Sequence, residues 1–223
     1  MQSRLLPVAI VACTLMATAL LTANQAVSSG PQPGQEVPSP LPVLNATGEW
    51  AGKYHCPVCE AGLNSAVLIF VREVPQPGQP MMKLLQGLDA AITERPGSPA
   101  AATAIFLGDG GYKEALGTKI DDKARVNDLR LTKAILFKDA KVAQLSGLLN
   151  EAKLKHVLLA IASEDDVKDY RLDKAADITV VGYSRHKTLV NKAFAKDQLT
   201  EAEAGKLLTE LTTNLPNVAV PKY

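Results

Sequence analysis

Ala66-Val67-Leu68-Ile69-Phe70-Val71 is an unbroken apolar, β-rich run that stops at Arg72-Glu73. A short run without polar alternation predicts a strand buried on both faces. A turn is expected over residues 74–80. Met81, Leu85, Leu88 and Ile92 then recur at helical spacing, so they form one apolar stripe of a helix that ends before Pro96-Gly97. Ala102 to Leu107 predicts a second buried strand, closed by a turn at Gly108-Asp109-Gly110-Gly111, a cluster with no nucleotide fingerprint around it. From Asp121 to Lys155 the only strong breaker is Gly147, and Leu145, Leu148, Leu149 and Ala152 make a helical face. His156 to Ala162 is a third strand. Ile178–Tyr183 and Thr188–Phe194 flank Ser184-Arg185-His186-Lys187 at a spacing that suits an antiparallel hairpin. Thr200-Glu201-Ala202-Glu203 is a capping box opening a last helix, with Ala204, Leu207, Leu208 and Leu211 inward. Strands alternating with helices and then closing in a hairpin imply an α/β domain: a mixed sheet with helices on both faces and a C-terminal hairpin plus helix.

The N-terminal pattern is of another kind. Arg4 supplies a positive start, Leu5 to Leu21 is almost continuously apolar, and small or polar residues follow to Ala26. This is the layout of a secretory signal peptide over residues 1–26, and it predicts a periplasmic or extracellular protein, membrane-anchored if the segment stays uncleaved. Ile10-Val11-Ala12-Cys13 resembles a bacterial lipobox, but the apolar run continues well past Cys13. Pro31, Pro33, Pro38, Pro40 and Pro42, with Gly30 and Gly34, read as an extended spacer over residues 27–44. The globular domain is then expected over residues 45–215, with a tail at 216–223. The chain carries 24 basic against 23 acidic residues, and the signal would remove only Arg4. A neutral mature surface argues against nucleic acid or a polybasic membrane contact as partner. Asp121-Asp122 and Glu164-Asp165-Asp166 read as solvated surface.

Candidate chemistry concentrates in the stretch just ahead of the first buried strand. If Cys13 leaves with the signal, the mature chain has two cysteines, Cys56 and Cys59, in an oxidising compartment, and they are expected to pair with each other. Pro57 suits the first position of a helical turn, which would direct backbone N–H groups at Cys56 and favour its thiolate. His55, when protonated, would lower that thiol's pKa further, and Glu60 would oppose it. Two readings stay open: a redox-active pair that exchanges disulfides with thiols or disulfides of another exported protein, or a structural clip in a binding or scaffold module.

The element order β-α-β-α-β-β-α is similar to the thioredoxin-like fold, over roughly Ala66 to Leu215. The stretch Gly52-Lys53-Tyr54-His55-Cys56-Pro57-Val58-Cys59-Glu60-Ala61-Gly62-Leu63-Asn64 resembles a segment of exported, largely uncharacterised bacterial thioredoxin-like proteins of the planctomycete kind. The C-P-x-C form is also similar to glutaredoxin and periplasmic disulfide-oxidase motifs. Those families imply dithiol–disulfide exchange, with Cys56 as nucleophile and Cys59 resolving. The chain departs from them in two places. Its motif precedes the first core strand instead of following it, and Arg72 to Pro80 has no cysteine. Between Pro99 and Pro216 there is no proline to face a disulfide from the hairpin side.

Metal binding is the further class. No cofactor is called for by any motif, but His55, Cys56 and Cys59 lie within five residues, and His186 falls in the hairpin turn, where related copper-handling thioredoxin-fold proteins keep a histidine. Two thiolates with one or two imidazoles suit copper or zinc.

Overall fold

The computed structural model describes residues 27–94, 101–108 and 129–216, with the backbone course alone for 129–138. The signal segment with Cys13, residues 109–111 of the glycine cluster, Asp121-Asp122 and the tail beyond Pro216 lie outside the described residues.

Seven strands form one mixed sheet. They are β1 (Val43–Asn45), β2 (Tyr54–His55), β3 (Ala66–Val71), β4 (Ala101–Gly108), β5 (Val157–Ser163), β6 (Ile178–Ser184) and β7 (Lys187–Phe194). Across the sheet the order is β2-β1-β5-β4-β3-β6-β7. The central trio β5-β4-β3 is parallel and the outer pairings are antiparallel. The helices are α1 (Pro57–Ala61), α2 (Pro80–Glu94), α3 (Leu129–Ala152) and α4 (Glu201–Asn214). This is the thioredoxin-like α/β arrangement.

The layers are unequal, for a topological reason. The crossovers from β3 through α2 to β4 and from β4 through α3 to β5 step the same way across the sheet. Because both are right-handed, they place α2 and α3 on one face. The hairpin returns α4 to that face too. Leu85 and Leu88 of α2, Leu145 of α3 and Leu207 and Leu211 of α4 share one apolar cluster with Val67, Ile69 and Val71 of β3. Alternate strand residues, among them Leu68, Phe70, Ile105 and Tyr183, face the other way. Gly182 of β6 lets α4 come close, since a Cβ there would meet Leu211 Cδ2 at 2.7 Å.

The opposite face is covered by α1, a 3₁₀ turn at Lys168–Tyr170 and a strap of irregular chain. The strap is the stretch read from sequence as a spacer, and it is packed into the domain: Ser29, Val37 and Leu41 are buried. Two kinds of contact hold it. Its backbone pairs with the exposed edge of β7, with Gly34 N donating to Thr188 O, Thr188 N to Gln35 O and Val37 N to His186 O. Polar side chains do the rest: Ser29 Oγ lies 2.7 Å from Thr179 Oγ1, Asn191 Nδ2 donates to Ser29 O and Pro31 O, and Tyr170 Oη donates to Pro38 O at 2.8 Å. Proline-rich chain has few N–H groups of its own to satisfy, so it crosses apolar surface at little cost.

Asp89 shows another polar lock, on the helical face. It lies in the apolar stripe of α2, buried, and one carboxylate oxygen accepts the N–H groups of Lys155, His156 and Val157 at 2.6–2.9 Å. It thereby fixes the start of β5 against α2.

Candidate functional site

β1 and β2 form a short antiparallel hairpin, with Val43 opposite His55 and Leu44 opposite Tyr54. This hairpin delivers the chain to Cys56, whose extended backbone (φ −106°, ψ 101°) caps α1. Pro57 occupies the start of the helix, as its fixed φ favours. Gly62 ends it at φ 55°, a conformation that glycine adopts freely. Val58 and Ala61 point into the strap-side core. Their burial turns the opposite side of α1, with Cys59 and Glu60, toward solvent.

Cys56 and Cys59 are joined in a disulfide, with Cα atoms 5.2 Å apart. The two sulfurs are not equivalent. Cys56 is half-buried against the strap-side cluster, whereas Cys59 is exposed. Cys56 Sγ accepts Cys59 N–H at 3.1 Å and, from the strap, Leu41 N–H at 3.4 Å. Cys59 Sγ has the Ser39 hydroxyl at 3.9 Å. The peptide joining Ser39 to Pro40 in this part of the strap is cis.

His55 stacks on Trp50, with ring centroids 4.5 Å apart and planes 7° from parallel, and Lys53 Nζ lies 5.7 Å from the Trp50 centroid. His55 Nε2 is 2.9 Å from Glu60 Oε2. The ring expected to bias the Cys56 thiol therefore faces the Glu60 carboxylate of α1 and is stacked on an indole. Sequence reasoning missed Trp50 and the strap residues Ser39 and Leu41. Trp50 had a signal, as the chain's single tryptophan six residues ahead of Cys56; Leu41 contributes through its backbone, which no residue type announces.

Among the described residues no group of three or more His, Cys, Asp or Glu side chains is arranged to hold an ion. Both sulfurs are spent on each other. His186 sits in the β6–β7 turn at φ 60°, beside Arg185 at φ 51°, and its carbonyl accepts the strap's Val37 N–H. Two consecutive positive φ values make this the two-residue turn that matches strand twist in a hairpin.

The far end of β3 is the place where the similar families put their motif. Here it is ionic. Arg72 donates through Nε to Ala176 O at 2.8 Å and through a terminal nitrogen to Asp173 O, and it pairs with Glu164. Glu73 pairs with Lys196. Desolvation, and then the Glu73 charge, push the Asp177 carboxyl above its ordinary pKa against the pull of Lys196 and Arg72.

No helix among the described residues is long and apolar enough to cross a membrane. No family model matches the chain. A curated protein, the transcription elongation factor GreA of Clostridium acetobutylicum, is 28% identical over 94 residues, 39% of this chain. The chain spans 59% of that relative's length. Among solved structures, reduced Prx3 of Vibrio vulnificus in complex with hydrogen peroxide aligns over 81% of this chain and 98% of its own, at 11% identity and a TM-score of 0.50. A thiol peroxidase of Chromobacterium violaceum covers 83% and 90% at 10% identity and 0.47. A secreted disulfide oxidoreductase of Mycobacterium tuberculosis covers 78% and 96% at 10% identity and 0.45. At such identities a likeness speaks to fold alone. Together with the strand order, the Prx3 alignment shows that this chain has a thioredoxin-like fold.

Proposed function

We propose that this chain is an exported thiol–disulfide exchange protein whose redox centre is the Cys56–Cys59 pair, acting on thiols or disulfides of other exported proteins. The observation that carries the reading is the pair of backbone N–H groups on Cys56 Sγ, from Cys59 and Leu41. When the disulfide opens, those donors meet a thiolate, and hydrogen bonds to a charged acceptor are roughly twice as strong as neutral ones. Stabilising the thiolate makes the disulfide more readily reduced and so more oxidising. The partly exposed position leaves the bond within reach of a partner, and the charged start and apolar run of residues 1–26 supply the route out of the cytoplasm.

Equilibration of the mature domain in glutathione buffers, with acid trapping of free thiols, tests this. A midpoint above about −230 mV, in the range of glutaredoxins and disulfide isomerases, is expected. A midpoint below about −300 mV would make the pair a structural clip and the domain a binding or scaffold module.

A further inference from the structure

We infer that Cys59, the second cysteine of the motif, is the sulfur that bonds to the partner, and that Cys56 is the sulfur that leaves and returns. This rests on the exchange reading above and reverses the order that the similar motifs imply. Exchange is an in-line displacement: the incoming thiolate needs access to one sulfur, and the other must depart with the electron pair. The structure divides these requirements. Access belongs to Cys59, which is exposed, while Cys56 is half-buried beneath the strap. Charge stabilisation belongs to Cys56, whose Sγ accepts N–H groups from Cys59 and Leu41. Cys59 Sγ has the more distant Ser39 hydroxyl, at 3.9 Å.

The oxidising step balances as follows. A partner thiolate attacks Cys59 Sγ, forming a partner–Cys59 disulfide. The Cys56–Cys59 bond breaks, and its electron pair leaves on Cys56 Sγ. A second thiolate of the partner then attacks the partner's own sulfur in the mixed disulfide, closing a partner disulfide and releasing Cys59 as a thiolate that takes a proton from water. The partner dithiol loses two electrons and the pair gains them. Run backwards, Cys59 thiolate opens a partner disulfide and Cys56 resolves the mixed species.

The test uses the mature chain and glutathione. Oxidised wild-type protein is mixed with excess reduced glutathione, quenched with acid within the first turnover and mapped by mass spectrometry. Glutathione on Cys59 is expected, at least tenfold over Cys56. In parallel, Cys56→Ser and Cys59→Ser are treated with glutathione disulfide across pH 6–9. The limiting rate at high pH is expected to be higher for Cys59, in the Cys56→Ser protein, and the lower apparent thiol pKa is expected for Cys56, in the Cys59→Ser protein. Glutathione mapped mainly to Cys56, or the lower pKa on Cys59, overturns the assignment and leaves exchange standing. Wild-type protein that exchanges with glutathione no faster than the two Ser variants combined overturns both.

Discussion

The two ends of β3 sit on one strand and differ in almost every chemical respect. The chain enters β3 from α1, where a disulfide lies between an apolar core and a strap that supplies one backbone N–H group. It leaves through Arg72 and Glu73 into a crevice of ion pairs and carboxylates with no thiol. The start of helix α2 and the open end of the β6–β7 hairpin lie around the exit, whereas the sulfur chemistry comes ahead of β3 in the chain. A scaffold therefore fixes where a site can be built more loosely than it fixes the core. What decides is which loop brings donors and exposure to the reactive atoms.

Three variants test that contrast, the first with the largest effect. Replacing both cysteines with serine is expected to abolish exchange with glutathione and to cost about 2 kcal/mol in urea unfolding, the stabilisation expected for so short a closed loop. Exchange that survives the double change would move the chemistry elsewhere. At the other end, Arg72→Ala removes donors from the carbonyls of Ala176 and Asp173. It should lower stability by about 1.5 kcal/mol while leaving the glutathione exchange rate within twofold; a larger drop in rate would tie the exit of β3 to the redox centre. The smallest effect is that of Asp177→Asn. Its carboxyl has a folded pKa raised above the unfolded value, so the stability it contributes is fully present below the unfolded pKa and is lost as pH rises through the folded one. The amide mimics the protonated form. A slightly higher melting temperature is expected near neutral pH, with the difference closing below about pH 3, and an unchanged melting temperature at pH 7 would remove the crevice's electrostatic penalty from the comparison.

Much of the framework was legible because burial on both faces writes long apolar runs. β3 matches the predicted Ala66–Val71, and β4, β5, β6 and β7 each extend their predicted runs or shift by a residue or so. The stripe from Met81 to Ile92 and the Thr200 cap, whose hydroxyl accepts Glu203 N–H, located α2 and α4. Other parts had no periodic signature. β1 and β2 are three and two residues long, too short for alternation to register. The strap was misread because prolines mark chain without regular hydrogen bonds, and such chain is as suited to crossing a core as to leaving it. Its signal was the apolar series Val37, Leu41, Val43 and Leu44 interleaved with those prolines. Asp89 carried a signal too, as an acid four residues after Leu85 inside an apolar stripe. The cysteine pair stood out because the third cysteine, Cys13, lies far off in the N-terminal apolar run. The inequality of its two sulfurs arises from tertiary contact, and a motif of four letters contains none of it.

The strap has a consequence for the order of events in biosynthesis. Its bonds join residues far apart in the chain: Ser29 meets Thr179 across 150 positions and Asn191 reaches back 162 to Ser29, whereas Cys56 and Cys59 are three apart. Contacts that distant form late and slow the folding of the topologies that depend on them. Cys56 and Cys59 are close enough in the chain to meet as soon as both are made, long before β6 and β7 exist to seat the strap. The Leu41 N–H thus reaches its place beside Cys56 Sγ only when the last hairpin has seated the strap, so the surroundings of the pair are completed with the domain and are absent from the nascent chain.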